Sequence, residues 1–170
     1  MALVFHSGFE TGDFTEWVST TGSPSVVETQ KKTGNYAMRC NTDAAYISKE
    51  YGSTDFNPSI SFYLYIAAAT SGDEAILLSQ EYGWEDGHRL YLYLTSSNTL
   101  KLGTTGGSTT LNSEVWYRIS VIWSSDSTGA DVLIDGNSEL EDVGTSNWTN
   151  GNTCVTLGTG LGETICSGDI

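Results

Sequence analysis

The chain has 170 residues, room for one domain and not comfortably for two. Hydrophobic residues make up 38% and aromatics 11%, which excludes a disordered chain and supplies a core. Seven Lys and Arg against 21 Asp and Glu leave a net charge of -14, which speaks against nucleic acid and against an anionic membrane as partners, since both attract basic faces. The same charge favours solubility and suits cation binding. No apolar run approaches the roughly 18 residues of a membrane span. Met1 to Glu10 has neither a basic stretch nor an apolar one, so no signal peptide is expected. That leaves synthesis without export, or a Met1 added to the natural sequence.

Taken in chain order, weak strands are predicted at Leu3–His6, Ser25–Gln30, Tyr36–Asn41 and Ala45–Tyr51, with one short helical turn at Phe14–Trp17 capped by Asp13. Pro58–Ala67 alternates strongly: Ile60, Phe62, Leu64 and Ile66 share one face, and Ser59, Ser61, Tyr63 and Tyr65 the other. Ala75–Tyr82 is a weaker strand. His88–Thr95 puts Leu90, Leu92 and Leu94 opposite Arg89, Tyr91 and Tyr93. After a weak strand at Thr99–Thr104, Val115–Trp123 sets Val115, Tyr117, Ile119, Val121 and Trp123 against Trp116, Arg118, Ser120 and Ile122. Ala130–Asp135 and Thr153–Leu157 follow. Gly-, Asn- and Asp-rich turns punctuate these runs, as in sandwiches and barrels. The end, Ser167-Gly168-Asp169-Ile170, reads as the start of a further strand, either truncated or supplied by another subunit. Cys40, Cys154 and Cys166 are odd in number and lack CxxC spacing, which speaks against zinc. Either Cys154 and Cys166 bridge adjacent strands, or all are small buried hydrophobes.

Gly8-Phe9-Glu10-x-Gly12-Asp13-x-x-x-Trp17 resembles the opening of concanavalin A-like (laminin-G-like) jelly-roll domains. Trp116-Tyr117-Arg118-Ile119-Ser120-Val121, followed by Val132-Leu133-Ile134-Asp135-Gly136, resembles their central hairpin. The resemblance implies an all-β, two-sheet antiparallel β-sandwich over residues 1–170, either whole or lacking its last strand. It does not fix function, because the fold hosts lectins, glycan-binding modules, hydrolases, lyases and virion proteins. The opening Met1-Ala2-Leu3-x-Phe5-x-x-Gly8-Phe9 is also similar to laminin-G-like proteins of tailed bacteriophages, which implies a virion component.

Glycosidases of this fold carry acid and nucleophile on one strand, about 5 Å apart. Asp73, Glu74, Glu81, Glu85 and Asp86 do not lie at alternate positions of an apolar strand. His88, Arg89, Tyr91 and Tyr93 offer the residue types of polysaccharide lyases but not their motifs. If the two strongest strands lie in one sheet, Tyr63, Tyr65, Arg89, Tyr91 and Tyr93 share a face. Such a face suits stacking on sugar rings, contact with a neighbouring subunit, or simply a half-exposed sheet. Trp84, between Gly83 and Glu85, reads as a binding platform or a plug over the core, whereas Trp17, Trp116 and Trp123 are assigned to the core. Glu10, Asp13 and Asp169 are the candidates for a structural calcium ion, in a domain otherwise without cofactor. Asp13 is better explained as a helix cap or turn residue.

The expectation is a non-catalytic structural or binding protein. The leading form is a bacteriophage virion component, a capsid decoration or a tail or fibre module. It would be homo-oligomeric, with other virion subunits or a cell-surface polysaccharide as partners. The alternative is an extracellular carbohydrate-binding module of a secreted polysaccharide-degrading enzyme. A glycoside hydrolase or polysaccharide lyase is third.

Overall fold

Strands that alternate apolar and polar residues expose one face that water disfavours, and they bury it by stacking in two layers. The computed structural model describes residues 7–41, 44–55, 59–68, 71–81, 89–123, 129–144 and 152–159. Among them run β1 (Ser19–Thr21), β2 (Ser25–Val27), β3 (Ala37–Arg39), β4 (Tyr46–Asp55), β5 (Ser59–Tyr65), β6 (Glu74–Glu81), β7 (Arg89–Leu94), β8 (Leu100–Leu102), β9 (Thr105–Gly106), β10 (Trp116–Trp123), β11 (Gly129–Ile134), β12 (Asn137–Gly144) and β13 (Asn152–Gly158), and no described residue is helical. The chain is an antiparallel β-sandwich. One sheet has seven strands in the order β1-β4-β13-β6-β7-β8-β9, the other has four in the order β12-β11-β10-β5, and β2 pairs with β3 as a separate ribbon.

Register explains the core. In the large sheet Leu92 stands opposite Leu77 on one side and Leu102 on the other. In the small sheet Ile119 stands opposite Phe62 and Ile134, and Val121 opposite Ile60 and Val132. Leu77, Leu92, Leu102, Ile119, Val121 and Val132 belong to one cluster, each no more than 1% exposed, so the two sheets close on each other. Each such side chain contributes about 1.5–3 kcal/mol by leaving water.

The opening motif packs onto this core rather than into a sheet. Phe9 stacks on Trp17, centroids 6.1 Å apart and planes 7° from parallel, and meets Phe14 edge-on. The helical turn predicted at Phe14–Trp17 is a single turn closed by Trp17 N–H donating to Phe14 O at 2.9 Å. Asp13 does cap it, accepting from Thr15 N at 3.1 Å and from Thr15 Oγ1 at 2.7 Å. Those two bonds, the side-chain one first, hold its carboxyl below the ordinary value. The turn ends there because the next residues enter β1, whose pairing with β4 uses the extended backbone. The predicted strand Leu3–His6 lies outside the described residues.

The small sheet is tied to the end of the large one by a carboxylate. Glu139 Oε1 of β12 accepts from Ser108 N at 2.5 Å and from Thr109 N at 2.8 Å, and its Oε2 accepts from Thr109 Oγ1. Gly107 leaves the space this needs, since a Cβ there would sit 2.2 Å from Glu139 Oε1. Burial raises the Glu139 pKa, but the three hydrogen bonds outweigh it and leave the carboxyl below its ordinary range. A depressed folded pKa contributes stability that is complete above the unfolded value, about 4.3. That stability drains away as pH falls through the lower folded value. Glu139→Gln is therefore expected to cost about 1–2 kcal/mol at neutral pH. The gap to the native chain should narrow on acidification, read from urea midpoints at neutral and acidic pH. A pH-independent gap would mean that the charge contributes nothing.

Candidate functional site

The outer face of the small sheet follows from its inner one. Because Ile60, Phe62 and Leu64 turn to the core, Tyr63 and Tyr65 turn to solvent. On the neighbouring strand β10, Arg118 stands opposite Tyr63, Trp116 opposite Tyr65, and Ser120 opposite Ser61. Tyr65 and Trp116 contact each other with centroids 5.2 Å apart and planes tilted by 48°. Tyr63 is 47% exposed, well beyond what an ordinary core-flanking tyrosine shows. Ser61 and Ser120 share a hydrogen bond of 2.7 Å beside it. Lys32 Nζ reaches over the Tyr63 ring, 5.7 Å from its centroid.

Arg118 is fixed by its backbone. Its N–H donates to Asp135 Oδ1 and its carbonyl accepts from Asp135 N, both at 2.8 Å. Its side chain is exposed and meets no hydrogen-bond or ion-pair partner among the described residues. The guanidinium leans toward the β11–β12 turn, where a Cβ on Gly136 would lie 3.1 Å from its Nη2. The result is a two-rung aromatic platform on paired strands, with Lys32 over Tyr63.

The large sheet carries the other tyrosines. Tyr91 and Tyr93 stack at 5.8 Å with planes 28° apart. Both pack with Tyr46 onto Ala75 and Leu78, and Leu78 is only 1% exposed. Lys101 lies 4.7 Å above the Tyr93 ring and is ion-paired with Asp73. Burial, then the neighbouring Tyr91, raises the Tyr93 pKa against the opposing pull of Lys101. Arg89 is half-buried, and its Nε has no hydrogen-bond partner among the described residues. On the same face Ser48 and Thr156, 2% and 0% exposed, are hydrogen-bonded at 3.1 Å. Much of this surface is spent on a small second core.

The single face expected for Tyr63, Tyr65, Arg89, Tyr91 and Tyr93 is therefore split. Strand β5 pairs with β10 in the small sheet, while β7 pairs with β6 and β8 in the large one, so the two tyrosine pairs look outward on opposite sides. Trp84 lies outside the described residues, as do His88, Glu85 and Asp86. Trp17 and Trp123 are buried as expected, but Trp116 belongs to the platform and not the core. Its signal was present in the alternation, which sets it on the side of Arg118 and Ser120. Lys32 carried no such signal, because it comes from a turn distant in sequence.

The calcium candidates are engaged with protein donors. Glu10 accepts from Asn35 N at 3.1 and 3.0 Å and from Asn35 Nδ2 at 3.1 Å, and Asp13 caps its turn. Asp169 lies outside the described residues, among which no group of three or more His, Cys, Asp or Glu side chains could hold a metal. Cys40 is free, and burial pushes its thiol up to about 11, so it carries little thiolate at neutral pH. Cys154 is disulfide-bonded. Cys166 lies outside the described residues.

No protein-family profile matches the chain, and no curated protein matches it in sequence. Solved structures do match. The chain is similar to the carbohydrate binding module CBM66 from Bacillus subtilis, at 11% identity and a TM-score of 0.48, over 81% of this chain and 86% of that one. It is also similar to the binding domain of botulinum neurotoxin serotype D, at 12% identity and a TM-score of 0.50, over 87% of this chain and 40% of that one. At such identity the second likeness shows the fold alone, an antiparallel β-sandwich.

Proposed function

We propose that the chain is a non-catalytic glycan-binding module whose site is the outer face of the small sheet, with Tyr63, Tyr65 and Trp116 as the stacking platform. The observation that carries this reading is the exposed Tyr63 ring beside the Tyr65–Trp116 pair, on two hydrogen-bonded strands. The apolar side of a sugar ring stacks on such faces, and its hydroxyls find partners in Tyr63 and Ser61. Ladder pairing holds the rings in place before binding, so little ordering entropy is lost. The patch is two rungs, about 7 Å along the strand. A stable protein interface needs about 800 Å² per partner, so the patch suits a saccharide better than a subunit.

The resemblance of the opening and of the β10–β11 hairpin to concanavalin A-like domains fits a module of this kind. The disulfide at Cys154 supports an extracellular place of action. Of the carboxylates considered for catalysis, Asp73 is ion-paired with Lys101 on the opposite sheet. No structural observation favours the virion reading.

The test is a glycan array followed by calorimetry on the best ligand. Tyr63→Ala and Trp116→Ala are each expected to weaken binding about tenfold, the loss of one good stacking contact. Tyr91→Ala, on the opposite sheet, should leave affinity unchanged. A blank array, or a loss confined to Tyr91→Ala, would overturn the assignment.

A further inference from the structure

We infer that the outer edge of β5 is a self-association surface, and that its partner is β5 of a second copy of this chain, paired antiparallel about Phe62. An exposed strand edge offers unpaired N–H and C=O groups to any other strand, and proteins guard such edges by making them short, charged or bulged. Among the described strands the two sheets have four edges. At the edges of the large sheet, β1 is three residues long and β9 two. At one edge of the small sheet, β12 carries Glu139, Glu141 and Asp142, and its pairing with β11 is bulged. The fourth edge, β5, has none of these guards. It runs for seven residues without a charge, in a chain with 21 acidic side chains, and its register with β10 has no shift.

Burial shows the same gap. Ile60, Phe62 and Leu64 face the core but stay partly exposed, whereas Ile119 and Val121 beside them on β10 are fully buried. Leu140 and Val143 of β12 are only 7% and 8% exposed, so an edge position does not by itself leave apolar side chains in water.

The sequence of β5 selects the occupant, because the strand is complementary to itself about Phe62. In an antiparallel pair centred there, Ile60 stands opposite Leu64 of the partner subunit, which extends the inner apolar row. On the outer face Ser61 stands opposite Tyr63 of the partner subunit, and Ser59 opposite Tyr65 of the partner subunit, so each bulky ring meets a small side chain. This register pairs all seven residues. A shift of two residues either way leaves ends unpaired and sets Tyr63 against its own copy or Ser61 against its own copy. The pair is isologous and closes at two subunits. An edge about 24 Å long buries less than a standard interface, so the dimer is a weak one. Its two-fold axis stands perpendicular to the sheet, so both outer faces look the same way and the two tyrosine platforms share one surface. On the glycan reading, that lets two sites hold one long chain.

The experiment is sedimentation velocity over rising concentration of the native chain. The mass should climb from 18.3 kDa toward twice that value and stop there. Ser61→Lys and Ser61→Asp, at an exposed position, each set like charges diagonally across the two-fold axis. Each variant alone should stay monomeric where the native chain dimerises, and mixing the two should restore a dimer, with thermal melts checked first. Hydrogen exchange on the native chain needs no substitution. Amides of β5 should gain protection at high concentration, and those of β12 should not. A monomer at every concentration, assembly beyond two copies, a dimer indifferent to charge at position 61, or unchanged exchange in β5 overturns the inference. Tyr63-dependent glycan binding by a monomer would still keep the glycan reading.

Discussion

Replacing Gly158 by alanine is expected to destabilise the fold by about 3–5 kcal/mol, combining backbone strain with overpacking. Gly158 closes β13 with φ at 149°, a region that residues with a Cβ avoid. A Cβ there would lie 2.3 Å from Ala45 O and 2.5 Å from both Cα and Cβ of Tyr46. These are mostly backbone atoms of the adjacent strand, so no rotamer change relieves the clash. The neighbouring Thr159 N–H donates to Ala45 O at 2.9 Å, which pins the two strands together. Against a total stability of about 5–15 kcal/mol, the loss would leave the chain marginal. Gly144→Ala is the control, since a Cβ there meets nothing within 4 Å. It should stay within about 0.5 kcal/mol of the native chain. Urea titration of both variants decides the matter, and a Gly158→Ala midpoint close to native would contradict the close approach.

Ile119→Ala is expected to cost about 2–5 kcal/mol, from lost burial plus the cavity left behind. Ile119 is fully buried between Phe62 and Ile134, so its neighbours have little room to collapse into the space. The adjacent Arg118 faces the other way, and Arg118→Gln should shift stability by less than about 0.5 kcal/mol, as for most surface changes. The two residues therefore separate what the strand does. One substitution should lower the melting temperature, and the other should leave it close to native. If both lowered stability equally, the division of β10 into an inner and an outer face would be wrong.

Strand faces were legible in the sequence, and strand partners were not. Period two places Leu90, Leu92 and Leu94 together and Tyr91 with Tyr93 on the other side, as the structure shows. It says nothing about which strands share a sheet, because that depends on closure over long stretches of chain. Hence the tyrosines of β5 and β7 were grouped on residue type and came apart on topology. Trp116 went astray in the opposite sense, because its bulk argued for the core while its parity put it outside. Strand β12 was invisible because its apolar residues, Leu140 and Val143, are three apart. A bulge restores their facing, with Leu140 opposite Val132 and Val143 opposite Ala130. The short β1 and β9 have no apolar pattern to read.

Strand order also bears on how the chain is made. In the large sheet β4 and β6 are not neighbours, and β13 joins them. It is the last of the described strands to leave the ribosome. The small sheet needs only β5, β10, β11 and β12, all of which emerge earlier. During synthesis β4 and β6 each wait with an unpaired edge facing the gap that β13 will fill. Such edges recruit strands from other chains. Yield in the cell should therefore depend on how quickly the final stretch is delivered, and slow elongation there should raise aggregation even though the finished protein is unchanged.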